Sequence, residues 1–410
     1  MKSGYSKRQY KKRRKRLRYD KKRGNGFKVF FAVLGVLLLI AVAAVGVMFA
    51  LEILFKIDTP LPPDGVFGKF ADALNAEMVV SPTPYVTEIP TEEPHPMDLF
   101  DGKVEEKEVV FPADLNYAWL GDPYCCNGRI ICSAGKLIDG RVLMCRLVQY
   151  DIATAALTEL PVEPKNDHLM FPAFNDKWLV YFDAHYSVGG GNICVLDMNS
   201  PYSAPAVVKE VYIGQPELKL WGDYMAWIER TGSERDKIFV CDLRTMETTV
   251  VAFFNRSDYG TSMPFIADGK LLWSEESGSG TSSMIKYYDL ENGTQGEYRT
   301  GVYVHDPEYN GRYYAWLDSH HSEDTGLYVS DGTENILVAR GVAEFGISDK
   351  FVAYGLDNAV YIYLFENKTS YRITPEREDT QFLGTTGGTV MWMDVTSRER
   401  DIIKFAIPPI

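Results

Sequence analysis

Carboxylates are the side chains of this 410-residue chain whose spacing most invites a chemical reading. Asp183, Glu229, Glu275, Asp318 and Asp394 each stand two residues beyond an aromatic that closes a short apolar run: Tyr181, Trp227, Trp273, Trp316 and Trp392. Equivalent positions of a circular fold would gather such groups into an acidic ring. A ring of that kind attracts cations or basic peptides, or supplies the paired carboxyl groups of a glycoside hydrolase. The plainer expectation is that each accepts hydrogen bonds from its own loop. Nucleophilic catalysis has little to work with. No Gly-x-Ser-x-Gly occurs, and "SGSGT" (277–281) has the wrong order. His320 and His321, near Asp318, Glu323 and Asp324, have metal-binding chemistry, but adjacent histidines in a polar stretch read as solvated. "SVGGGN" (187–192) links two strand-like runs and opens no helix, so it reads as a hairpin and not a phosphate loop. No catalytic residue, metal or cofactor is assigned.

The cysteines add a second negative. Cys125, Cys126, Cys132, Cys145, Cys194 and Cys241 form no C-x-x-C pair and have no histidine at zinc spacing. Cys132, Cys194 and Cys241 fall in apolar runs and read as buried thiols, with disulfides as the alternative. The vicinal Cys125-Cys126 pair is the one most suited to redox chemistry.

The elements that carry these residues repeat. Aligned on its last residue, one phrase recurs as "NGRIIC" to Cys132, "DKWLVY" to Tyr181, "GDYMAW" to Trp227, "DGKLLW" to Trp273, "GRYYAW" to Trp316, "DKFVAY" to Tyr354 and "GGTVMW" to Trp392. The spacings are 49, 46, 46, 43, 38 and 38 residues. A polar loop and a second alternating strand follow each phrase, with Asp151, Asp197, Asp242, Asp289 and Asp331 at one shared place. Period-two alternation in short strands bounded by turn residues is the all-β pattern. A unit of this length with four such strands is one propeller blade. The count is seven blades, or six if the weak first copy is not one. The aromatics are expected to fill the gaps between blades, and the aspartates to fasten the turns that follow them. The last copy has only three strands, so "VEEKEVVF" (104–111) is expected to supply the fourth and close the ring.

A turn, an apolar strand ending in Trp or Tyr, a polar loop and then I-x-V-x-D-L resembles the TolB-type propeller repeat, and is similar to the propellers of prolyl-oligopeptidase relatives. The resemblance implies an extracytoplasmic propeller that interacts with proteins. It carries no catalytic residue over.

The loops after the aligned aromatics are long and differ from copy to copy, and all should emerge on one face. Function concentrates on variable loops held by a rigid scaffold. That makes His185, Tyr186, Arg230, Arg235, His320, His321, Arg398 and Arg400 the candidate binding residues.

Ahead of the repeats the composition changes sharply. The chain's net charge is −13, yet its first 28 residues carry fourteen Lys or Arg against a single Asp. Residues 1–28 read as a basic cytoplasmic tail. Residues 29–55 read as a transmembrane signal anchor, built on an uncharged run from Val29 to Leu51 that is long enough to cross a bilayer. Residues 56–100 read as a Pro-rich acidic tether and 101–410 as the propeller. The expected function is a membrane-anchored, extracytoplasmic binding or scaffolding module at the cell envelope, with a carbohydrate-active hydrolase using ring carboxylates as the alternative. The expected partners are the membrane, through 29–55, and an envelope protein or glycan; no nucleic acid is expected for the propeller. Thiol labelling of intact cells should reach a cysteine placed within 82–96 and miss one placed within 5–20. The reverse pattern would overturn the orientation.

Overall fold

The computed structural model describes residues 98–410 except 100–103, 110–116, 186–188, 230–234, 256–262, 277–281, 319–324, 375–378 and 397–401. The tail, the anchor segment and the tether up to residue 97 lie outside the described residues.

Seven sheets follow one another along the chain, each built on an antiparallel blade of four strands; six take those strands in sequence order, and the last takes three and is completed by a strand from ahead of blade 1. The aligned phrases are the second strands of their blades, for example Trp178–Ala184, Tyr224–Glu229 and Thr389–Asp394. The weak first copy is a full blade, with strands Trp119–Cys126, Arg129–Ile138, Arg141–Asp151 and Ala156–Glu159. Its polar-loop position is instead an extended hairpin turning at Asp139-Gly140, and blade 6 turns tightly at Asp357-Asn358. The loops between second and third strands are therefore not long in every copy.

Each blade has two apolar faces, and the buried side chains fall into seven clusters, one per interface between neighbouring blades. Each cluster contains one aligned residue. Tyr181, Trp227, Trp273, Trp316, Tyr354 and Trp392 are 0–2% exposed. Trp227 stacks on Phe239 across the sheet, ring centroids 5.2 Å apart, and Trp316 stacks on Tyr328 at 5.8 Å. Where blade 7 meets blade 1 the aligned residue is the small Cys132, and Tyr150 packs edge-on against Phe405 at 5.9 Å in the same cluster. A blade lacking a neighbour would leave such a layer in water, so the blades stabilise one another through burial.

The recurring aspartates fasten turns, as their position implies. A side-chain oxygen accepts a backbone N–H two or three residues on: Asp151 from Thr154 at 2.8 Å, and Asp197, Asp242, Asp289 and Asp331 from Asn199, Arg244, Glu291 and Thr333, each at 2.9 Å. The hydroxyl and N–H groups donated to Asp331 hold its carboxyl at about 2. All six cysteines are free. Burial pushes Cys125 up to about 11, so its thiolate is scarce at neutral pH.

The ring closes through the segment ahead of blade 1. Lys107–Glu108 pairs antiparallel with Ile402–Ala406, and the Val109 N–H donates to Ile403 O at 2.9 Å. Lys404, 7% exposed, places its ammonium 2.8 Å from Glu106 and 2.9 Å from Asp394. Just before this, Asp98–Leu99 lies parallel to Tyr371 and Arg372 as a fifth strand of blade 6. Residues 98–109 thus fasten two successive blades. Deleting 98–109 strips the last blade of its outer strand and of Val109, which is 1% exposed. The deletion should lower the stability of the whole propeller by about 3 kcal/mol or more, in a single transition. An unchanged melting midpoint would show that the ring does not depend on this segment.

Candidate functional site

The innermost strands of the blades line a central channel, and three of them are interrupted by proline. Proline has no N–H to give to a ladder, so a strand that contains one must bulge. The register shifts between Gly121 and Tyr124 in blade 1, between Met170 and Ala173 in blade 2, and between His305 and Glu308 in blade 5. The residue before each proline, Asp122, Phe171 and Asp306, takes φ of 48°, 51° and 48°. A left-handed backbone is costly for any of these and most so for phenylalanine. Bulges redirect side chains, and Asp122, Asp306 and Glu308 all line the channel.

The channel has two cavities that share a waist of Lys219, Phe265, Glu308, Phe345, Leu383 and Gly384. One cavity, of about 530 Å³, opens where the inner strands begin and carries Asp122, Glu217, Asp306, Glu308 and Glu344. Lys219 is the one basic residue on its wall among the described residues, and its ammonium lies 3.2 Å from Glu217. The other cavity, of about 760 Å³, opens at the ends of the inner strands, among Tyr124, Trp221, Asn310 and Lys350. The two mouths therefore differ in charge.

Burial dominates the acid chemistry of the first mouth. Glu308 is surrounded by protein although its surface keeps some contact with channel water. That burial lifts its carboxyl to about 7, against the pull of the Ile347 N–H, 2.6 Å from Oε2, and of Lys219; Asp306 adds to the rise. Asp122 is also raised by burial and by Glu217, while the Phe171 N–H at 3.2 Å and the Ser133 hydroxyl at 3.4 Å hold it down. Glu344, at the lip, is raised by the protein around it and then by Glu217.

The five carboxylates at the repeat's shared position sit elsewhere. None lines either cavity. Asp183 accepts the Lys165 and Asn166 N–H groups at 3.0 and 3.1 Å, and Asp318 accepts the Tyr303 N–H at 2.7 Å. Glu229 pairs with Lys209 and Glu275 with Lys286, both at 2.9 Å, and Asp394 pairs with Lys404. Of the candidate loop residues, His185 is exposed, with its backbone N–H on Gly190 O at 3.0 Å. Arg235 opens the strand Arg235–Asp242, paired with Asn255, and its side chain is not described. Tyr186, Arg230, His320, His321, Arg398 and Arg400 lie outside the described residues. The described turns joining second to third strands, at Asp139-Gly140 and Asp357-Asn358, stand at the end where the inner strands begin, which is the face of the acidic mouth. Among the described residues no group of three His, Cys, Asp or Glu side chains could hold a metal ion.

Sequence reasoning missed the channel carboxylates although four of them share a register: Asp122, Glu217, Asp306 and Glu344 each stand ten residues before the aligned residue of their copy, Cys132, Trp227, Trp316 and Tyr354. The signal was present in "GDPY" and "HDPE", where proline inside a strand-like run marks a bulge.

A folded pKa near 7 for Glu308 lies above the ordinary carboxylate value of 4.5. Between those values the folded state binds the proton more tightly than the unfolded state, so this group's contribution to stability falls as pH rises through the window. Glu308→Gln removes that fall, worth on the order of 1–3 kcal/mol after allowing for channel water, between about pH 5 and 7. Denaturant unfolding across the window checks it; parallel pH slopes for the two proteins would refute the assignment.

No protein-family model and no curated protein matches the sequence. Solved structures do share its architecture. The β-propeller domain of the trilobed protease from Pyrococcus furiosus, described as having an open velcro topology, aligns with a TM-score of 0.55 at 16% identity, over 70% of this chain and 93% of that one. The acylaminoacyl peptidase of Pyrococcus horikoshii aligns with a TM-score of 0.55 at 13% identity over 70% of this chain, which spans about half (51%) of the peptidase. TolB from Acinetobacter baumannii aligns less closely, with a TM-score of 0.41 at 12% identity over 64% of this chain and 59% of TolB. At these identities the likeness is one of fold, and the fold is a seven-bladed β-propeller.

Proposed function

We propose that the propeller is a binding module that receives its ligand at the acidic mouth of the central channel, and that residues 29–55 anchor it with this domain outside the membrane. One observation carries the reading: among the described residues five carboxylates converge on one cavity with Lys219 as the basic side chain on its wall, Asp306 also meeting His305 Nδ1 at 2.8 Å. Acids gathered at one mouth favour a ligand that brings positive charge to them. The rigid ring holds them in place without any contribution from the ligand. The carboxylates at the repeat's shared position are each engaged by protein groups, which favours binding over a hydrolase built on two of them. An envelope protein or glycan bearing positive charge fits this mouth; a nucleic acid would be repelled.

A photo-crosslinking amino acid in place of Glu344, exposed at the acidic lip, should trap a specific adduct in cells. The same substitution at Asp349, exposed at the opposite mouth, should not. Equal adducts from both positions, or an adduct from Asp349 alone, would overturn the assignment of the site.

A further inference from the structure

Blade 1 carries an arm. Its second and third strands run to 10 and 11 residues, whereas the matching strands of blade 2 have 7 each. Trp119, the first residue of the inner strand, pairs with Gly135, and the pairs Lys136–Leu143, Leu137–Val142 and Ile138–Arg141 stand beyond it. Three residue pairs at the rise of a strand project the ribbon by roughly 10 Å. Asp139 and Gly140 close it with φ of 50° and 74°, the two positive values a tight hairpin turn requires. The arm rises on the face where the inner strands begin, which is the face of the acidic mouth.

Its exposed chemistry is apolar. Leu137 is 66% exposed, Val142 41% and Trp119 38%. Leu137 and Val142 are directly paired and so share one side of the ribbon. Gly121 and Gly135 continue that side downward without side chains of their own. A Cβ on Gly121 would stand 3.1 Å from Trp119 Nε1 and 3.2 Å from Met144 Cε. One on Gly135 would stand 2.6 Å from Val142 Cγ1 and 2.9 Å from Met144 Sδ. Trp119, Met144, Val142 and Leu137 therefore form one strip leading up from the channel lip. Asp122 lies three residues further along the inner strand, inside the cavity. Oil stands on the arm, acid in the mouth beneath it.

We infer that the arm and the acidic mouth are one docking surface for a basic polypeptide segment with an apolar flank, whose apolar side chains cover Trp119, Val142 and Leu137 while its lysines or arginines meet Glu217, Glu344 and Asp122. Charge complementarity selects this occupant. An acidic segment would face like charge at the mouth, and a small cation would leave the strip in water. Tryptophan beside a pocket is a common anchor of such contacts. The inference rests on the channel mouth being the binding site and specifies the partner it takes.

The test uses the purified full chain and fluorescence anisotropy with two labelled peptides of equal length. One carries lysines at one end and leucine with tryptophan at the other; the second keeps the lysines and has serine and glycine in place of the apolar residues. The first should bind more tightly, and Leu137→Ser with Val142→Thr should weaken it about tenfold or more without lowering the melting midpoint, since both side chains are exposed. Glu217→Gln with Glu344→Gln should weaken both peptides and flatten their salt dependence. Equal affinity for the two peptides with a neutral arm variant would overturn the arm's role and leave the mouth standing. Loss on the arm variant with neutral acid variants would overturn the mouth and leave the arm standing. Failure of both peptides while the Glu344 crosslinker still traps its adduct would overturn the partner chemistry alone. Retention of the chain on neutral phosphatidylcholine vesicles through the arm, without peptide binding, would make the strip a lipid contact and overturn the proposal.

Discussion

Every blade of this protein has two apolar faces and no means of covering either by itself. That constraint orders the rest of the structure. It requires a neighbour on each side, hence a closed circle, and it places the largest side chains at the interfaces instead of in a common centre. The fully buried Trp227, Trp273, Trp316 and Trp392 each sit in a different interface. Polar links reinforce the same joints. Asn175 Nδ2 donates to Gly222 O and Asn310 Nδ2 to Ser348 O, both at 2.7 Å, each reaching from one blade to the next. Lys177 meets Asp223 at 2.8 Å and Arg129 meets Asp176 at 2.9 Å in the same way. These surface pairs contribute little energy each, but they fix the blades' relative register.

Because the hydrophobic load is carried between blades, the axis is released from packing duties. The inner strands can bulge at Asp122-Pro123, Phe171-Pro172 and Asp306-Pro307 without opening a core. The strained backbone there aims acids at the axis, where burial makes the carboxylate form costly and lifts Glu308 to about 7. Rigidity and electrostatic tension thus occupy different shells of one molecule. The outer shell holds the geometry that lets the inner one keep like charges close together.

The outer shell was largely legible in the sequence. A side chain needed at the same depth in every interface leaves a period, and the aromatics from Tyr181 to Trp392 record it. So do the aspartates from Asp151 to Asp331, since every copy needs its turn fastened. The closing segment could be named because a seventh copy with three strands demands a fourth. The channel mouth left a fainter period, kept in only four of the copies. Asp122, Glu217, Asp306 and Glu344 each stand ten residues before the aligned residue of their copy, Phe171, Met263 and Phe382 hold that place in the other three, and Glu308 falls two residues later. The carboxylates two residues beyond the aligned residue, such as Glu229 and Glu275, belong to second strands and meet lysines. Periodicity reports most plainly what every blade must do. A binding site is what only some blades do, so its acids share one offset with the apolar Phe171, Met263 and Phe382 and the pattern is broken.

The segment that closes the ring is also the path by which anything ahead of residue 98 is joined to the propeller, and this gives the molecule a mechanical polarity. Tension from the N-terminal side arrives first at Asp98–Leu99, two residues held beside Tyr371 and Arg372. The fifth strand of blade 6 acts as a strain relief, yielding before the clasp on blade 7 bears any force. Behind it stand the Lys107–Phe405 and Glu108–Lys404 pairs and the buried Lys404 ammonium between Glu106 and Asp394. A pull strong enough to peel these away does not extract one strand from an intact body. It uncovers the edge of the last blade and breaks the circle at the one joint whose aligned residue is a cysteine and not an aromatic ring.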